Sequence, residues 1–160
     1  MRIGKLLLVV AGSIVGVSAL AFAVLFAVTY TEDMVAEYEN HAEAVADGSV
    51  ARGWVPEFVP ETARSIRDVH NIDTNRQWMR FEVPEEDARR MISEMAHVSP
   101  QNVSLPRRPP RWSGRWVPRS DIESGGTTLT YHRESPEVYR ARCVAVEWSS
   151  DTATAFVWTC

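Results

Sequence analysis

The sequence predicts an α+β protein: an N-terminal transmembrane helix, then a small antiparallel sheet of about four or five strands with one packed helix. Three observations carry this. Leu6 to Thr29 runs LLLVVAGSIVGVSALAFAVLFAVT without a charge. Met79, Phe81 and Val83 alternate with Trp78, Arg80 and Glu82, the period of a half-buried strand. Pro84 is followed by three acids and then by Ala88, Met91, Ile92 and Met95 at helical spacing.

The uncharged run is long enough to cross a hydrocarbon core of about 30 Å as a helix rising about 1.5 Å per residue. Arg2 and Lys5 precede it, and Glu32, Asp33, Glu37 and Glu39 follow it. The positive-inside bias then predicts a cytoplasmic N-terminus, in a bacterial inner membrane, with the remainder periplasmic. A cleaved signal peptide is the alternative, because Ala19-Leu20-Ala21 and Ala21-Phe22-Ala23 suit a peptidase. Gly12 and Gly16 form a GxxxG pair through which two helices would approach in a homodimer, although such residues also pack against lipid.

Three regions are expected: 1–30 as cytoplasmic tip and membrane helix, 31–48 as a juxtamembrane acidic helix, and 49–160 as the extracytoplasmic domain. In the second, Thr31 is the expected N-cap and Gly48 the stop, with Met34, Val35, Tyr38, Ala42 and Val45 on one stripe. Gly53-Trp54-Val55-Pro56-Glu57-Phe58-Val59-Pro60 excludes regular helix and central strand, so it reads as an extended connector whose Trp54 and Phe58 cover the core. Ala63 to Val83 reads as a hairpin turning at His70-Asn71-Ile72-Asp73-Thr74-Asn75. Five prolines between Val98 and Asp121 predict a surface loop. Strands resume at Thr127 to His132, and Tyr139 to Cys160 reads as a hairpin around Asp151-Thr152.

That last turn would set Cys143 opposite Cys160 and predicts a disulfide in an oxidising compartment; two buried free thiols are the alternative. A net charge of −4 gives no reason to expect a nucleic-acid partner. The sharpest surface feature is the stretch with Arg107, Arg108, Arg111, Trp112, Arg115, Trp116 and Arg119, without an acid between them. Arginine forks suit phosphate and carboxylate, so an envelope protein, an anionic lipid or a cell-wall polymer is the candidate partner; pairing with the chain's own acidic segment is the alternative. His70, Asp73 and Asn75, with Asp68, form a second candidate, for oxygen-rich metal binding or acid/base chemistry, against ordinary turn hydrogen bonding. Glu57 and Glu61 offer a carboxylate pair without fixed geometry. No G-x-S-x-G, P-loop, H-E-x-x-H or C-x-x-C is present, so no cofactor, metal or enzyme activity is expected.

Trp54, Pro56, Phe58 and Pro60 in the connector, followed by Ala63, Ile66, Asp73-Thr74-Asn75, Phe81 and Pro84-Glu85-Glu86-Asp87, resemble a family of small bacterial membrane proteins and lipoproteins. The resemblance covers about a third of the chain and carries no activity with it; the anchoring cysteine of the lipoprotein members is absent. It implies a bacterial envelope setting and a structural role for the connector and the hairpin tip. The function expected is a membrane-anchored, non-catalytic periplasmic binding or scaffold domain. The alternatives are an immunity or inhibitor protein against a toxin or envelope hydrolase, and a hydrolase using His70 and Asp73.

Overall fold

The computed structural model describes residues 16–22, 24, 33–99, 102–103, 109, 112, 116, 129–134 and 141–160. The chain divides into two units, Met1–Glu32 and Asp33–Cys160. In the first, residues 16–22 and 24 are helical, with Val17, Leu20, Phe22 and Val24 exposed. Among the described residues no helix is long and apolar enough to cross a membrane, so the expected transmembrane helix is not supported. Of the expected dimer motif, Gly12 lies outside the described residues, and a Cβ at Gly16 would meet nothing within 4 Å.

The second unit is built on one seven-stranded antiparallel sheet, not the four or five strands expected, in the order β1-β2-β3-β7-β6-β5-β4. The strands are β1 Asp33–Asn40, β2 Arg64–Asn71, β3 Arg76–Pro84, β4 Ala96–His97, β5 Leu129–Arg133, β6 Arg142–Trp148 and β7 Thr152–Thr159. Among the described residues two helices accompany them, α1 His41–Ala46 and α2 Glu85–Ser93.

β1 corrects the acidic helix expected over 31–48. Asp33–Asn40 pairs antiparallel with β2, Met34 opposite His70 and Tyr38 opposite Ile66. Ala36, Tyr38 and Asn40 are half-buried while Glu37 and Glu39 are exposed, a two-residue period that the helical stripe concealed. The helix starts at Asn40 instead, whose Oδ1 accepts the Glu43 N–H at 3.1 Å while Glu43 Oε2 accepts the Glu39 N–H at 2.8 Å. This is a variant of the reciprocal capping arrangement, and it makes six residues helical where tertiary pairing has claimed the preceding eight. Gly48 ends the helix as expected, at φ +79°.

β3 and β7 lie at the centre, and the expected alternation of β3 holds: Gln77, Met79, Phe81 and Val83 are buried and the residues between them half-buried. One face carries Ile66, Met79, Phe81, Val83, Val144, Val146 and Val157, covered by Val55 and Val59 of the connector, Ala44 of α1 and Ala88 and Met91 of α2. Phe58 packs against this cluster part-buried, so the small residues of the connector enter the core deeper than its aromatics. Glu85, Glu86 and Asp87 occupy the first turn of α2, where a helix N-terminus favours negative charge.

The opposite face holds Val69, Tyr131, Cys143, Ala145, Phe156 and Trp158, and Val103, Trp112 and Trp116 cover it. Three described residues of the proline-rich stretch thus pack into the core of the second face, and most of that stretch lies outside the described residues.

The 143–160 bridge forms, but not in the expected register. Ser149 and Thr152 close the turn, with the Ser149 N–H donating to the Thr152 carbonyl at 2.9 Å, so Ser150-Asp151 is the turn centre. Cys143 then lies opposite Trp158, and Cys160 opposite Ala141, whose carbonyl accepts the Cys160 N–H at 3.2 Å. The cysteines are diagonal neighbours, Cα to Cα 5.6 Å, and are disulfide-bonded. A slip of two residues keeps side chains on one face, whereas a slip of one would have separated them.

Candidate functional site

Asp68, His70 and Gln77 stand side by side on β2 and β3, His70 directly opposite Gln77. All three are buried, Asp68 at 1% exposure and His70 at 6%. Buried polar groups on a sheet face require partners, and here they form a chain. Asp68 Oδ2 contacts His70 Nδ1 at 2.6 Å, and Asp68 Oδ1 accepts from Gln77 Nε2 at 2.9 Å. Gln77 Nε2 also donates to the Trp54 carbonyl, and Gln77 Oε1 accepts from Arg142 Nε at 3.0 Å. Arg142 Nη2 in turn reaches the Gly53 carbonyl at 3.2 Å, and Glu134 Oε2 accepts the Arg142 N–H at 2.7 Å.

The network fastens the connector to the sheet through the backbone carbonyls of Gly53 and Trp54. Trp54 stacks on His70, ring centres 4.2 Å apart at 33°, and the Arg52 guanidinium sits 4.2 Å from the Trp54 ring centre. Arg52 also donates to Asp47 Oδ2 at 2.7 Å, in a cluster that includes Ser49 and Tyr38. Burial pushes the Asp68 carboxyl up, against the opposing pull of hydrogen bonds from His70 and Gln77.

Above this chain lies a recess of about 330 Å³ lined by Arg52, Trp54, His70, Arg76, Gln77 and Arg142, among others. Among the described residues its charged lining is cationic and includes no carboxylate. His70 commits Nδ1 to Asp68, and its Nε2 is buried without a hydrogen-bond partner. A groove of about 810 Å³ along Glu39, Thr62, Val83 and Thr152 is larger, but none of its lining side chains holds a buried polar atom lacking a partner. The recess is therefore the candidate site.

The sequence offered His70 two carboxylate companions, Asp73 and Asp68, and the structure brings one of them to it. Asp73 is exposed in the turn between β2 and β3, and Asp68, two residues before His70 on the same strand face, is the contacting carboxylate. The tip itself does what turn residues do. Asn71 Oδ1 accepts the Thr74 N–H at 2.8 Å, and Asn75 takes φ 51°, a left-handed conformation asparagine tolerates. Glu57 and Glu61 are exposed on the connector.

Trp112 and Trp116, expected to face a ligand, are instead buried at 6% and 7% exposure, edge-to-face at 4.8 Å, with Trp116 also edge-on to Phe156. The Arg67 guanidinium lies 5.3 Å from the Trp112 ring centre. Arg107, Arg108, Arg111, Arg115 and Arg119 lie outside the described residues. Gln77 and Arg142 escaped sequence reasoning because they are far apart in the chain and join only where β3 and β7 bring β6 alongside.

The family model of the YbbD head domain matches residues 32–82, about a third of the chain. The matched span holds β1, α1, the connector, β2 and most of β3, and with them Trp54, Asp68, His70 and Gln77. It supports the resemblance to a small bacterial family first visible in the connector and hairpin tip. No curated protein and no solved structure matches the chain.

Proposed function

We propose that residues 33–160 form a non-catalytic binding domain that works in an oxidising compartment of the bacterial envelope and takes an anionic group, carboxylate or phosphate, in the His70 recess. The observation that carries this reading is the partnerless, buried Nε2 of His70 in a lining whose charges are all arginine. Leaving a buried donor or acceptor unpaired costs about 1–3 kcal/mol, and an anion accepting a hydrogen bond from His70 Nε2 would remove that cost. Arg142 is held by Gln77, Gly53 and Glu134, so its fork needs little reordering when a ligand enters. The Cys143–Cys160 bridge supports the oxidising location, since structural disulfides persist outside the cytoplasm. Arg52, Arg76 and Arg142 in the described lining support binding of an anion there.

Titrating the protein with inorganic phosphate and, separately, with succinate tests this, read by NMR at the Trp54 indole and His70 ring. Saturable shifts are expected at both, and His70→Gln should weaken binding about tenfold or more, as expected for losing a charge-assisted hydrogen bond. Absence of saturable shifts with either anion, or equal affinity in the folded His70→Gln variant, overturns the reading.

A further inference from the structure

A second pair of polar side chains lies on the same face at the other side of the sheet. The directly opposed residues Asp68, Met79, Val157, Val144, His132 and His97 form one row running from β2 to β4. With strands about 4.8 Å apart, His132 stands about 19 Å from Asp68, a separate site from the recess.

His132 is 7% exposed, and both its ring nitrogens are buried without a hydrogen-bond partner. Of the buried side chains with partnerless polar atoms among the described residues, it alone has two such atoms. His97, its opposite on the edge strand β4, is exposed, and the two ring centres are 5.4 Å apart at 67°. Two imidazoles bound to one ion at about 2.0–2.1 Å, with a tetrahedral angle between them, set their ring centres about 5 Å apart. The observed separation is that of a ligand pair.

We propose that His97 and His132 form a two-histidine site for a late first-row divalent cation, Zn²⁺ or Cu²⁺. Neutral imidazole is a borderline-soft donor that suits these ions and not Mg²⁺ or Ca²⁺. Among the described residues no third histidine, cysteine, aspartate or glutamate joins the pair in a metal-ligand group. The antiparallel β4–β5 pairing fixes the spacing of the two backbones, and β4 is the last strand of the sheet.

Copper titration of the 33–160 unit within the full chain, followed by electron paramagnetic resonance, tests the site, with Zn²⁺ as competitor. One Cu²⁺ per chain is expected, with hyperfine coupling from two imidazole nitrogens, displaced by excess Zn²⁺. His97→Gln alters an exposed side chain, so it should fold normally, lose one nitrogen coupling and bind at least tenfold more weakly. The double variant His41→Gln/His70→Gln should keep the wild-type spectrum. Failure of the wild-type protein to bind one equivalent at 100 µM Cu²⁺, an unchanged spectrum and affinity in His97→Gln, or a lost signal in the folded double variant overturns the proposal.

Discussion

Breaking the Cys143–Cys160 bridge is the perturbation whose size can be worked through from the structure. The two residues are 17 apart in sequence and enclose the β6–β7 hairpin. Closing a loop of that length removes denatured-state entropy equivalent to about 3 kcal/mol at 25 °C. For a unit running from Asp33 to Cys160, an unfolding entropy of about 2.1 cal/mol/K per residue sums to roughly 0.27 kcal/mol/K. The midpoint should therefore fall by about 11 °C on reduction. Calorimetry with and without a phosphine reductant measures it, and Cys143→Ala/Cys160→Ala should melt close to the reduced protein in either buffer. A reduced midpoint within 2 °C of the oxidised one would refute the reasoning. Thiol titration of the oxidised protein should find no free cysteine, and two reactive thiols would refute the pairing itself.

Three further outcomes are expected. Asp68→Ala leaves the Gln77 amide and the His70 ring without their carboxylate and should destabilise by about 2–4 kcal/mol in chemical denaturation, whereas Asp68→Asn should stay within about 1 kcal/mol. Because burial raises the Asp68 carboxyl in the fold, its contribution is fully present below pH 3.8 and is lost as pH rises through the folded value. The Asn variant should thus gain on wild type as pH rises above 3.8, and an opposite trend contradicts the assignment. Trp112→Ala should cost about 3–5 kcal/mol, as for a core aromatic, and a change below 1 kcal/mol would return that residue to the surface.

Sequence periodicity resolved the elements whose neighbours lie close in the chain. The β2–β3 hairpin, α2 behind Pro84 and the β6–β7 hairpin were readable because a strand's two-residue alternation and a helix's capping chemistry are local. The cysteine pair was readable for a related reason: the face of a strand survives a two-residue register error. Of the candidate site, His70 was visible as the first residue of a polar run expected to be the hairpin tip, and Asp73 looked as good a companion as Asp68 because only the structure runs β2 on through Asn71.

The tertiary structure alone decided the rest. Asp33–Asn40 carries a helical stripe, yet lies against β2 because a strand edge offers it a complete ladder of hydrogen bonds and a helix would leave that edge bare. Trp112 and Trp116 look like ligand contacts beside so many arginines, and only the second, uncovered face of the sheet explains their burial. The joining of Gln77 to Arg142 and of His97 to His132 is non-local pairing, which no window of sequence contains. Local chemistry determined which segments became strands and helices. The need to cover both faces of one sheet determined which residues became core and which were left to bind.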